Sequence, residues 1–211
     1  MSVARHILML TVALLLMLPT SLMAQEKTRD SELLGRAIDY FQGGKYREAL
    51  NLFQKLDKHY RLNPRFTAYM GVCYYYEWEY ELAIQHIDSL LPQLEVFAPH
   101  ERALYYYISA ESHFALQQYE EALPQYEHHL LLCYDNEKGD SFYRLGFCHL
   151  FLHDIDSAYE SFKSAHSYYQ HFGGNNSQGR DAQIQQMIKG LEDKIVRRRY
   201  PKTQEASVEE R

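Results

Sequence analysis

Four stretches of the chain repeat one pattern, an aromatic or branched residue followed three positions later by alanine. Tyr46–Ala49, Tyr80–Ala83, Tyr119–Ala122 and Ile155–Ala158 fall at intervals of 34, 39 and 36 residues. A period in that range is one helical hairpin per repeat, with small loop insertions in the longer intervals. A hairpin of this size cannot bury its apolar face alone, so neighbouring hairpins must stack. That requirement predicts an all-α array. Such an array has no built-in active site and usually serves to hold another chain.

Each period divides into two helices, A and B. In the first, helix A runs from about Ser31 to Phe41, Gly43-Gly44 turns the chain, and helix B carries Tyr46, Ala49, Phe53 and Leu56. Those spacings lay one apolar stripe along a helix. Asn63-Pro64 then punctuates the sequence. The second period reads Met70-Gly71, Tyr74, Tyr80, Ala83, Ile87 and Leu90. Gly71 and Ala83 are small where paired helices must approach closely. The third reads Ala110, His113, Tyr119, Ala122, Tyr126 and His129, and the fourth Leu145-Gly146, His149, Ile155, Ala158, Phe162 and Ala165. Pro99 suits the first turn of a helix; Pro124 lies a few residues into helix B and is tolerable only near its N-terminal end, where the missing N–H costs nothing.

The small residue in helix A, the aromatic three later, the aromatic at the turn and the Ala–aromatic–Ala run of helix B resemble the tetratricopeptide repeat family. The resemblance covers about residues 30–172. It departs from the family pattern where Leu33, Thr67, Tyr106 and Phe142 stand in place of the Trp that opens helix A. It implies a right-handed superhelical solenoid of about four helix pairs. Residues 173–180 read as a flexible loop rich in Gly and Asn. A helix over 181–200, capped by Asp181 and striped by Ile184, Met187, Ile188, Leu191 and Ile195, is expected to cover the last open face. The alternative is a detachable helix that docks on a partner. Residues 201–211 read as a polar, disordered tail.

In arrays of this family the inner faces of the A helices line a concave channel. Carrying that register over assigns a partner-binding groove to Phe41, Arg65, Tyr75, Tyr76, Tyr107, Phe114, Tyr143, Phe147 and Phe151, with Leu34, Ile38, Ala68, Val72, Leu104 and Glu111 beside them. The surface is aromatic and nearly uncharged, which suits an apolar extended or helical peptide. Arg65 alone is basic and Glu111 is acidic, so clamping of a partner's terminal carboxylate is not expected. The opposing possibility is that the chain itself fills or buries this groove.

Arg5 precedes an apolar run from Ile7 to Leu18 that is too short for a bilayer span and matches a signal-peptide core. Cleavage after Ala24 is expected, with an uncleaved anchor as the alternative. Export implies the periplasm, the exterior or a secretory lumen, with membrane association only indirect. Loss of residues 1–24 removes Arg5 and no acidic residue, taking the net charge from −6 to −7. A mildly acidic chain is a poor non-specific nucleic-acid binder. Arg197-Arg198-Arg199 reads as the charged last turn of a helix.

Cys73, Cys133 and Cys148 are odd in number and read as small buried residues rather than a disulfide framework. His149 and His153 have ligand-compatible spacing, but His149 and His113 occupy the aromatic slot held by Tyr74, which favours packing. His128 and His129 are adjacent and cannot share a face. No phosphate loop, His-Glu-x-x-His or nucleophile elbow appears. The expectation is a non-enzymatic scaffold or adaptor for a protein partner, with no cofactor, metal or catalytic residue. A self-associating structural module is one alternative, and a metal-dependent enzyme using His149 and His153 is another.

Overall fold

The computed structural model describes residues 28–173 and 178–199. The expected signal peptide and polar tail, and residues 174–177 of the expected loop, lie outside the described residues. Regular structure among the described residues is entirely helical. The fold is all-α, a succession of helix pairs. The chain forms two compact units that divide between Glu77 and Trp78.

In the first unit, α1 covers residues 28–42, α2 covers Tyr46–Asp57 and α3 covers Pro64–Tyr76. Ala49, Phe53 and Leu56 of α2 are buried as the apolar stripe requires. Asn63 caps α3 by accepting a hydrogen bond from the Phe66 N–H at 3.2 Å, and Pro64 takes the first helical position. There the missing proline N–H removes nothing from the ladder.

In the second unit, α4 covers Tyr80–Asp88 and is followed by a 3-10 turn at Leu91–Val96. Then come α5 (Pro99–Ala115), α6 (Tyr119–Leu132), α7 (Asp135–Phe151), α8 (Ile155–Phe172) and α9 (Gln178–Arg199). The 3-10 turn, anchored by buried Leu94, occupies the extra length of the 39-residue interval. Ala110, Ala122, Tyr126, Leu145 and Cys148 form one core cluster, and Ala158, Phe162, Ala165, Ile184 and Leu191 form another. Ile184 and Leu191 belong to α9, so its apolar stripe packs on α8.

The period of the sequence is visible in the turns between A and B helices. Gly44, Trp78, Gln117 and His153 all have positive φ, between 61° and 69°. They stand two residues before Tyr46, Tyr80, Tyr119 and Ile155 and so repeat at the same intervals. At Gly44 the next N–H, of Lys45, donates back to the Tyr40 carbonyl at 2.8 Å; Gln118 does the same to His113 at 2.9 Å and Asp154 to His149 at 2.8 Å. This closure satisfies helix-end carbonyls and needs a left-handed residue. Glycine adopts that conformation freely; the other three turns do so with a side chain in place.

Three local expectations are corrected. Pro124 is the sixth residue of α6, beyond the first turn, so one ladder bond to the Glu120 carbonyl is lost. Pro124 and Glu120 are both exposed, and water can satisfy that carbonyl. Asp181 does not cap α9, which starts at Gln178; its carboxylate instead accepts hydrogen bonds from His166 Nδ1 at 2.5 Å and Gln170 Nε2 at 2.7 Å, both on α8. His153 is not on a helix with His149. It is the left-handed turn residue, so the pair does not share a helical face.

Candidate partner-binding surface

The assigned groove residues separate into those that present a ring and those that are core. In the first unit Phe41 lies flat on Tyr69, with centroids 4.2 Å apart, and meets Tyr46 edge-on at 5.9 Å. Tyr46 in turn stacks on Tyr76 at 4.0 Å with planes 2° apart, and Tyr75 meets Tyr76 edge-on at 5.1 Å. The result is a ladder of rings whose end, Tyr76, is 45 % exposed. Arg65 is half-buried in the first turn of α3. Ala68 and Val72 are fully buried, so these two lie in the core and not on an open face.

The second unit repeats the arrangement. Phe114 meets Tyr119 edge-on at 5.5 Å, Tyr119 stacks on Phe151 at 4.6 Å, and Phe147 stands 6.1 Å from Phe151 and edge-on to buried Phe162 at 5.2 Å. Phe151 is 47 % exposed. Tyr143 lies at the end of this ladder, 5.0 Å from Phe147. There α9 covers it: Tyr143 donates its hydroxyl to Gln183 Oε1 at 3.1 Å, and the Arg180 guanidinium sits 5.3 Å from its ring centre. The chain therefore fills this end of the expected groove itself. Tyr107 packs against the same core cluster as Phe114 and Tyr119. It packs against Tyr126 and His129 and lines a cavity of about 360 Å³.

The expected acidic contribution of Glu111 is cancelled. Glu111 is 7 % exposed and receives both fork hydrogen bonds of Arg144, Nε to Oε1 at 2.8 Å and Nη2 to Oε2 at 2.9 Å. Tyr126 donates its hydroxyl to Glu111 Oε1 at 2.6 Å. Burial, then the Glu111 carboxylate, push the Tyr126 hydroxyl far above its usual range, so it remains a donor. Burial works against the Arg144 charge, but the adjacent carboxylate outweighs it and holds the guanidinium protonated. The same guanidinium lies 4.7 Å from the centre of the Phe114 ring, a favourable cation–π arrangement. Arg144 was not among the expected groove residues. Its signal is a lone basic side chain between Phe142, Tyr143, Leu145 and Phe147.

The His113 slot is structural. His113 is buried, with Nε2 2.9 Å from Asp88 Oδ2 and Nδ1 2.7 Å from Gln118 Oε1. The equivalent Tyr74 accepts a hydrogen bond from Gln54 Nε2 at 2.9 Å. The three cysteines are free thiols, and burial pushes those of Cys73 and Cys148 up to about 12. Among the described residues no helix is long and apolar enough to cross a membrane.

The fold is similar to solved MamA structures. A MamA mutant aligns at a TM-score of 0.63 and 15 % identity, over 80 % of this chain and 84 % of that one. A crystal structure of MamA protein aligns at 0.54 and 17 %, over 83 % and 95 %. MamA from Desulfovibrio magneticus RS-1 aligns at 0.54 and 18 %, over 78 % and 93 %. No family model matches the sequence, and no curated protein matches it. At these identities the likeness is one of fold alone, an all-helical one.

Proposed function

We propose that this chain is an exported, non-enzymatic scaffold that holds a protein partner through its aromatic ladders, within an envelope complex. The observation that carries the reading is a half-exposed ring in each ladder, Tyr76 in one unit and Phe151 in the other. Each is braced from behind by a stacked tyrosine. A large ring held in place loses little freedom when a partner covers it, which is the property of a binding hot spot. The partner suited to such rings is an apolar extended or helical segment of another protein. The likeness in fold to MamA supports a repeat protein built for contact. The apolar run from Ile7 to Leu18 supports export.

The test is affinity capture from the native envelope, with the wild-type protein beside a Tyr76→Ala/Phe151→Ala variant. Both substitutions remove half-exposed rings and spare the core, so the variant should keep its helical signal. Recovery of one partner by the wild type and its loss by the folded variant supports the reading. Equal recovery by both moves the binding surface elsewhere.

A further inference from the structure

We propose that His129, Cys133 and Glu137 form a binding site for a single divalent transition-metal ion of the zinc class, at the joint between α6 and α7. A ring nitrogen of His129, the Cys133 sulfur and a Glu137 carboxylate oxygen all lie within 4.8 Å of one another. His129 is in the last turn of α6, Cys133 is the residue that ends that helix, and Glu137 is in the first turn of α7. The joint brings them together. Glu137 Oε2 accepts a hydrogen bond from the Tyr134 N–H at 2.9 Å, which folds its side chain back over the break between the helices.

The site is braced as metal ligands usually are. His129 is 5 % exposed, its Nδ1 is 2.7 Å from the Oγ of fully buried Ser141, and its ring packs against Tyr107 at 5.0 Å. Outer contacts of this kind fix the ring orientation of a ligating histidine. One side of the site is open. The cavity of about 360 Å³ is lined by His129 and Glu137 and also by His100 and Asp140. His100 Nδ1 lies 3.6 Å from Glu137 Oε2 but outside the close triad, so the fourth position is left to water, an incoming group or a His100 ring that moves inward.

The donor set selects the ion. One imidazole, one thiol and one carboxylate form a mixed N, S and O set, too soft for Mg²⁺ or Ca²⁺ and too poor in sulfur for Cu(I). Zinc accepts all three ligand types in tetrahedral sites. With bonds of ~2.0–2.3 Å the ligand atoms would sit ~3.5 Å apart, so the triad must close by roughly an ångström. Cys133 stands between two helices, and Glu137 has a long side chain, so both can make that adjustment. Binding converts the Cys133 thiol to a thiolate bound to the ion and releases its proton to solvent. The bound ion would pin α6 to α7 and turn an open coordination position toward the cavity. The site does not depend on how the aromatic ladders are used.

The test titrates the purified, fully reduced protein with Co²⁺ and then Zn²⁺. One equivalent of Co²⁺ is expected to bind with the intense visible bands of a tetrahedral ion and a thiolate-to-metal charge-transfer band, and Zn²⁺ is expected to displace it. Cys133→Ser should abolish the charge-transfer band with the circular dichroism spectrum unchanged. Ser141→Ala should weaken binding by about tenfold through the outer contact alone, while His149→Gln should leave it unaltered. Absence of saturable binding overturns the proposal, and so does a Co²⁺ spectrum that is the same in Cys133→Ser as in the wild type.

Discussion

Tyr119 lies over Phe151, with ring centroids 4.6 Å apart and planes 26° apart. Tyr119 opens α6 and Phe151 closes α7, so the stack ties the start of one B helix to the end of the next A helix. Tyr46 and Tyr76 hold the equivalent places in the first unit and stack at 4.0 Å. The repeat therefore copies a contact as well as a pattern of residues. Aromatic pairs of this kind contribute ~0.5–1.5 kcal/mol beyond the area they bury. A double-mutant cycle on Tyr119→Leu and Phe151→Leu should return a coupling in that range by urea unfolding. Strict additivity would show that the rings are neighbours without interaction.

The buried fork of Arg144 on Glu111 makes the two residues worth more together than apart. Arg144→Ala leaves a buried carboxylate without its counter-charge, and a cost of about 3 kcal/mol is expected. The combined change Glu111→Leu/Arg144→Met/Tyr126→Phe removes both charges and the hydroxyl that donates to Glu111 and fills the space, so it should recover most of that loss. Thermal unfolding of the wild type and the two variants checks this. A triple variant as unstable as Arg144→Ala would show that packing, not the unpaired charge, sets the cost.

Gly146 is held small by Phe162. A methyl group at that position would meet ring carbons of Phe162 at 2.7 Å, and the ring is fully buried. Gly146→Ala should cost about 1–3 kcal/mol by overpacking, read as a lowered Tm. Phe162→Leu in the same background should return part of the loss, because the smaller side chain makes room.

These contacts mark how far the sequence can be read. The turn register was legible because Tyr or Ile followed by Ala marks the start of each B helix, and the left-handed residues fall two positions earlier as a consequence. The buried stripe of α2 was legible for the same reason. Glu111 and Arg144 were not, because their pairing spans 33 positions in sequence and depends on how α5 and α7 are rotated about their axes. Ala68 and Val72 were placed on the groove by a register that is right for the helix but one face too generous. The spacing of His129, Cys133 and Glu137 reads as one helical face. The chain breaks between α6 and α7, so their proximity comes from cap geometry that no helical template contains.

His113 supplies a pH dependence. Burial disfavours its charged form, but the hydrogen bonds to Asp88 and Gln118 and the charges of Asp88 and Glu121 outweigh burial and raise its pKa above 6.5. A group whose pKa is raised on folding contributes fully below its unfolded value, and the contribution is lost as pH rises through the folded value. His113→Gln should therefore destabilise the protein most at about pH 5.5 and least at about pH 9. Denaturant midpoints of both proteins across that range give the answer. A difference that grows with pH would reverse the sign and assign His113 a neutral role.

The most direct measurement of partner binding is site-specific photo-crosslinking in native cells. A benzoyl-phenylalanine placed at position 151 keeps an aromatic ring on Tyr119 and puts a reactive group on the exposed side. The same group placed at Lys163, an exposed position on α8, serves as the control. A discrete crosslinked partner from position 151, absent from position 163, is the expected result. No adduct at position 151, or the same adducts from both positions, would contradict a binding role for the aromatic ladder.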